Sequence, residues 1–167
     1  PTRRSSDLFK VELTKEEKIK IGRPSAPRWE LDIVAYKAAT NTVYVVECKS
    51  YLDSIGVRAS AFDGSNLKAA RLYKLFNEPV LREVVFERLC KQLFKAGACH
   101  DNPRVQLALA CGKIKNETDR KELGARFEEN NWKLWDEAWI KEGIRKMADQ
   151  GYENQVASVV AKMMLRE

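Results

Sequence analysis

Asp32, Glu47 and Lys49 are the residues of this chain whose types and spacing could do chemistry. Two carboxylates can hold a hard divalent cation through oxygen, and an ammonium group beside them can balance a phosphate or orient a water molecule. Whether they act together depends on the segments that carry them. Asp32 lies in WELDIVAY, while Glu47 and Lys49 close TVYVVECKSY, and both segments are strongly apolar. Two adjacent strands joined by a short connection over residues 37–42 would pair Tyr36 with Val43. Counting back along that ladder sets Asp32 opposite Glu47. Side chains alternate along a strand, so Glu47 and Lys49 share a face, Cys48 points the other way into the core, and Glu30 shares the face of Asp32. Opposed like charges destabilise a ladder by about 0.2–1 kcal/mol, so a buried Asp/Glu pair wants a cation between its members. Mg²⁺ or Mn²⁺ suits such a site, since a hard ion takes one or two carboxylates, keeps several waters and leaves positions for a phosphate.

The spacing of Asp32, fourteen intervening residues and Glu47-x-Lys49 resembles the PD-(D/E)xK nuclease superfamily, and the string ECKS is most similar to archaeal-type Holliday junction resolvases. The resemblance implies a restriction endonuclease-like α/β fold, a mixed sheet flanked by helices, and metal-dependent hydrolysis of DNA. It implies that Asp32, Glu47 and the Cys48 backbone carbonyl bind the metal and that Lys49 orients or activates the attacking water. Leu31 stands where that pattern has its proline, a position the superfamily varies.

A lone E-x-K triplet is a weak signal, and Glu16-Glu17-Lys18 supplies a second one in this chain. That copy sits in the polar stretch TKEEKIK with no apolar strand leading into it and reads as solvated surface. Glu47 and Lys49 instead follow Val43, Tyr44, Val45 and Val46, apolar on both faces as a strand inside a sheet requires. The alternative for the same residues is a strand-end salt bridge between Asp32 and Lys49 with no chemistry attached. At the level of function the alternatives are a DNA-binding module that keeps the fold without catalysis and a structural α/β interaction domain.

With 167 residues and 44% apolar content the chain can bury one good core, and a second is not expected. The formal charge of +6 favours a polyanionic partner, here DNA, and a homodimer is compatible with the composition. No stretch approaches the roughly 18 uninterrupted apolar residues of a membrane span, and no secretory leader is visible. Cys48, Cys90, Cys99 and Cys111 form no CxxC pair and no zinc spacing, so they read as reduced, mostly buried thiols of a cytoplasmic protein. Residues 1–8, PTRRSSDL, read as a translated sequencing adaptor, a non-native leader, with a charged leader of real origin as the alternative, and are expected to add no structure. Residues 9–167 are then expected to form a single nuclease-like domain; the resemblance implies a first helix with a further acidic residue near the metal, which is expected to be missing here because Glu12, Glu16 and Glu17 are poor substitutes for it.

The remaining elements must position the site. Residues 9–22 hold a strand ending in the alternating KIKIG, and residues 30–36 and 42–50 are the two site-bearing strands. Residues 52–78 read as irregular or weakly helical. Pro79 to Gly97 delimit the clearest helix, with Val85, Phe86, Leu89, Cys90 and Leu93 on its apolar face. VQLALAC is a doubly apolar strand, Asp119 and Glu122 make a capping box for a helix ending near Asn130, and residues 132–135 are a short strand. Asp136 caps a helix to about Gln150, and a last helix covers residues 153–166.

Opposite the apolar face of the long helix, Arg88, Lys91, Gln92 and Lys95 share one sector. By the same resemblance a helix at this place lies beside the active site, which makes Arg88, Lys91 and Gln92 candidates for supporting it or contacting DNA. A solvated helix face explains the same residues. Arg58, Lys68, Arg71, Tyr73 and Lys74 could track a phosphate backbone, although charged runs usually just face water. Trp132, Trp135 and Trp139 read as core rather than a base-stacking platform. His100, the only histidine, lies in a loop and speaks against His-metal nucleases and Ser/His/Asp hydrolases.

Overall fold

The computed structural model describes residues 8–26, 28–149 and 156–165. It is a mixed α/β structure in which a four-stranded sheet is flanked by helices and a two-stranded ribbon. The elements run β1 (Phe9–Val11), α1 (Lys15–Lys20), β2 (Trp29–Leu31), β3 (Ile33–Lys37), β4 (Thr42–Lys49), α2 (Leu67–Ala70), α3 (Lys74–Asn77) and α4 (Pro79–Lys95). They continue with β5 (Arg104–Cys111), α5 (Glu117–Glu129), β6 (Lys133–Trp135), α6 (Glu137–Asp149) and α7 (Val156–Leu165). Among the described residues no helix is long and apolar enough to cross a membrane.

The hairpin β3-β4 pairs Tyr36 with Val43 and Ile33 with Val46, the expected register. A 3-10 turn over Ala38–Thr40 makes the connection and ends on Asn41, which adopts a left-handed conformation at φ 43°. Asn tolerates that conformation, and its side-chain oxygen accepts a 2.9 Å hydrogen bond from the Tyr36 hydroxyl. From β4 the sheet grows by parallel pairing, Val43 to Val105 and Lys49 to Cys111, and then β5 pairs parallel with β6. A parallel step needs a crossover, and residues 52–95 supply it with α2, α3 and α4.

Helix α4 starts with Pro79 at its first turn, where a missing N–H costs nothing. It stops at Gly97, whose φ of +67° suits glycine, and the N–H groups of Gly97 and Ala98 donate to the carbonyls of Phe94 and Leu93. Its Leu81, Val84, Val85, Leu89 and Leu93 are buried, each worth about 1.5–3 kcal/mol relative to exposure. They join Val43, Val45, Leu107, Leu109 and Cys111 from one face of the sheet and Leu123 and Phe127 from α5 in one core. Phe62, Phe76, Phe127 and Trp132 close its far side as an edge-to-face cluster with Phe76 to Trp132 ring centroids 5.1 Å apart.

Several expectations are corrected. KIKIG is not a strand: Thr14 and Glu17 form a capping box that starts α1, which outweighs the short alternating pattern. The single strand expected over residues 30–36 is broken at Asp32, so β2 belongs to the small ribbon and β3 to the large sheet. Helix α5 is capped by Asn116, which accepts from the Asp119 N–H, and Asp119 instead accepts from the Ala59 N–H at 2.7 Å. Cys48 does not face the core. It is half-buried beside Tyr44 and Val46 on the opposite face, because the core lies on the face that carries Glu47 and Lys49. The four cysteines are free thiols, but only Cys111 is buried, and burial pushes it up to about 12. Trp132 packs on the core, whereas Trp139 is 53% exposed and stacks on Trp135 at 4.8 Å. Residues 1–7 of the expected leader and the start of the expected last helix lie outside the described residues.

Candidate active site

Asp32 occupies the bend where the chain leaves the ribbon and enters the large sheet. The ladder between β3 and β4 ends at Ile33 and Val46, and its register continued by one step sets Asp32 against Glu47. There the side chain replaces the main chain: Asp32 Oδ2 accepts a 2.7 Å hydrogen bond from the Cys48 N–H. That bond to a charged acceptor fixes the carboxylate at the end of the sheet.

Asp32, Glu47 and Lys49 line one cleft of about 330 Å³, together with Trp29, Arg71 and Lys74. Glu30 lines the same cleft but is exposed and paired with Arg28 at 3.2 Å. The cleft opens at the carboxyl end of β4, and just past that end Gly112 sits against the Ser50 carbonyl so closely that a Cβ would collide with it. The Gly112 N–H donates to the Lys49 carbonyl at 3.0 Å, which ties the end of β5 to the end of β4.

Glu47 and Lys49 form an ion pair at 2.9 Å, with side chains 14% and 23% exposed respectively. Burial raises the Glu47 carboxyl above its ordinary value and nearby Asp32 adds to this, while Lys49 opposes it. For Lys49 burial acts to lower the ammonium, but Glu47 and Asp32 outweigh it and hold the group above its usual value. Lys49 Nζ also lies 5.7 Å from the ring centroid of Tyr73, a buried residue whose hydroxyl is 3.4 Å from that of Tyr51. Burial pushes the Tyr73 hydroxyl far upward, so it stays protonated beside the cation. The site is thus two carboxylates and one ammonium, held in place by a main-chain N–H, an ion pair and an aromatic face.

Hard oxygen donors on neighbouring chain segments fit Mg²⁺ or Mn²⁺ better than a soft metal. Among the described residues no group of three or more His, Cys, Asp and Glu side chains gathers to hold an ion, so any ion here would keep much of its water. Such retained hydration is usual for Mg²⁺ and less so for structural zinc.

The structure does not bring the polar sector of α4 to this cleft. Arg88 makes a forked ion pair with Glu17 of α1 at 2.7 Å, and Gln92 accepts from the Glu12 N–H and donates to the Lys10 carbonyl. These two residues clamp the N-terminal segment onto α4. Lys91 pairs with Glu87 one turn away on the exposed surface. His100 is in a loop, its N–H donating to the Tyr36 hydroxyl.

Tyr73 was visible in the sequence only as a possible stacking residue, and its place under Lys49 depends on how residues 52–78 fold back. Trp29 carried no motif signal; its ring lies 5.6 Å from the Arg23 guanidinium and 5.9 Å from the Lys74 ammonium. No family model matches the chain, and the searches of curated proteins and of solved structures likewise return no match.

Proposed function

We propose that this protein is a metal-dependent phosphodiesterase acting on DNA, built on a restriction endonuclease-like core. The observation that carries the reading is the convergence of Asp32, Glu47 and Lys49 in one cleft, with the two carboxylates on opposed positions of neighbouring chain segments. A buried carboxylate that resists ionising, next to a second one, is a poor arrangement for stability alone and a good one for an ion.

Asp32 and Glu47 would hold Mg²⁺ or Mn²⁺, with the Cys48 carbonyl as a further oxygen donor. Bound there, the ion would supply charge stabilisation at the phosphate and lower the pKa of a water molecule. Lys49 is the group that remains to orient that water or to balance charge developing on the phosphate oxygens. Its ammonium is kept charged by its carboxylate neighbours, so it serves as a donor and not as a general base at neutral pH. Tyr73 positions it, and the Cys48 N–H positions Asp32.

The purified chain is expected to cut DNA with Mg²⁺ or Mn²⁺ and to stop with a chelator. Supercoiled plasmid, single-stranded circles and four-way junctions are the substrates to try, with Asp32→Ala as control. If all three remain uncut with either metal while still being bound, the non-catalytic DNA-binding reading replaces this one.

A further inference from the structure

The cleft has a neighbour. A second groove of about 440 Å³ lies on the other side of Leu72, which lines both, and its walls include Tyr51, Ile55, Arg58, Lys68 and Ala69. Besides Lys49, four cations, Arg58, Lys68, Arg71 and Lys74, border the two grooves. Among the described residues none of the four makes an ion pair, whereas Arg23, Arg88 and Arg120 elsewhere each engage a carboxylate. Between Arg58 and Lys74 the only acidic residue is Asp63, whose carboxylate is used by the Ser65 N–H and hydroxyl. Residues 52–74 also expose large apolar side chains: Leu52 at 70%, Ile55 at 54%, Leu67 at 73% and Leu72 at 56%.

Unpaired cations alone would suit any polyanion. Interleaved with exposed apolar side chains, they match a ligand that carries regularly spaced phosphates and flat apolar faces at once. A duplex hides its base faces in the stack, while an unpaired strand presents them. We infer that the preferred ligand is an unpaired DNA strand that enters the Asp32/Glu47 cleft, crosses Leu72 and continues through the Tyr51/Ile55 groove with its phosphates on Arg58, Lys68, Arg71 and Lys74. This rests on the nuclease reading for the direction of the strand, and it assigns that site a substrate class: single strands, flaps and the unpaired arms of branched DNA. Arg58 and Lys68 bind strand away from the reacting phosphate, and Arg71 and Lys74 bind it next to that phosphate.

The test is fluorescence anisotropy with a labelled twelve-nucleotide oligothymidylate and a blunt duplex of equal length, in chelator so that nothing is cut. The single strand should bind at least tenfold tighter than the duplex. The double variant Arg58→Glu, Lys68→Glu should weaken single-strand binding tenfold or more, and removing two phosphate contacts should flatten the salt dependence by about 1.4 in log–log slope. Leu72→Ala should weaken binding with the salt slope unchanged. Lys121→Glu with Lys141→Glu, the same charge change on exposed residues elsewhere, is the control. Equal affinity for duplex, equal loss in the control, or displacement by polyglutamate as readily as by unlabelled oligothymidylate would overturn the inference. Because no metal is present, binding that behaves as expected without any cleavage in Mg²⁺ sinks only the nuclease reading. Cleavage of duplex that ignores the Arg58/Lys68 change sinks only the strand path.

Discussion

The chain contains the E-x-K triplet twice, and its two copies do opposite things. Glu16 and Lys18 lie on the short helix α1, Glu47 and Lys49 at the end of the interior strand β4. On a helix, residues two apart point to different sides, and Glu16 is exposed there. On a strand, residues two apart share a face, and Glu47 meets Lys49 at 2.9 Å. In the first copy the useful residue is the middle one: Glu17 caps α1 and pairs with Arg88. In the second copy the middle side chain, Cys48, turns away, and its N–H holds Asp32. Identical spacing therefore gives an anchor in one place and a candidate reaction centre in the other, and secondary structure decides which.

The sharpest way to break this contrast is to remove the charges of each copy and measure DNA cleavage. Asp32→Ala, Glu47→Ala and Lys49→Ala should each lower the rate by about 10²-fold or more. Glu16→Ala with Lys18→Ala should leave it within about twofold. Residues of one reacting unit are not additive, so the triple variant should be little worse than the worst single one. Comparable losses in both copies would mean that the activity does not come from the β4 cleft.

A smaller effect should appear in the pH dependence of metal binding. Glu47 is raised in the fold, so its charged form costs stability at neutral pH, and that cost vanishes as pH falls through the raised value. A metal must displace that proton, so below the raised value affinity for Mg²⁺ should fall by up to about tenfold per pH unit, and above it become flat. Following the Mg²⁺-dependent rise in melting temperature from pH 8 down past the ordinary glutamate value of 4.5 reads this directly. A rise independent of pH over that range would separate Glu47 from the metal.

Much of this was legible because it depends on local rules. The run Val43 to Val46 marked an interior strand, the short connection fixed the Tyr36–Val43 register, and the register put Asp32 opposite Glu47. Pro79 and Gly97 bounded α4 for equally local reasons. What depended on distant partners was not legible. The polar sector of α4 reads equally as a substrate face or a solvated one, but Glu12 and Glu17, about seventy to eighty residues earlier in the chain, occupy Gln92 and Arg88. The alternation of β4 told that Cys48 and Glu47 face opposite ways, yet not which way the core lay. Tyr73 under Lys49 followed from the folding back of residues 52–78, whose short helices carry weak periodicity.

The anchor role of the first copy gives the next expected effect. Arg88 holds both oxygens of Glu17, and the two side chains are only 25% and 18% exposed, so Arg88→Ala should cost about 1–2 kcal/mol and about 2–8 °C in melting temperature. Burial acts to raise the Glu17 carboxyl, but its bonds to Arg88 and Thr14 win and hold it below the ordinary value. A depressed carboxylate contributes stability above its unfolded value near 4.5, and that contribution is lost as pH falls through the lower folded value. The gap between wild type and Arg88→Ala in urea denaturation should therefore be full at pH 7 and should close toward pH 3. A gap that stays constant would assign the loss to packing of the Arg88 stem instead of the ion pair.

The smallest effect isolates the helix end itself. Thr14 Oγ1 accepts from the Glu17 N–H at 3.2 Å, and the Glu17 carboxylate accepts from the Thr14 N–H at 2.8 Å, so each satisfies a donor that a helix start leaves open. Thr14→Ala removes the first bond and leaves the second, because the second uses the main chain of residue 14. The expected cost is about 0.5–1 kcal/mol, below that of Arg88→Ala, and Thr14→Ser should restore most of it. Cleavage measured well below the melting temperature should be unchanged, since none of Thr14, Glu16 and Glu17 lines the Asp32/Glu47 cleft. A loss of activity in Thr14→Ala without a loss of stability would connect α1 to the reaction after all, and the two copies of the triplet could no longer be assigned separate roles.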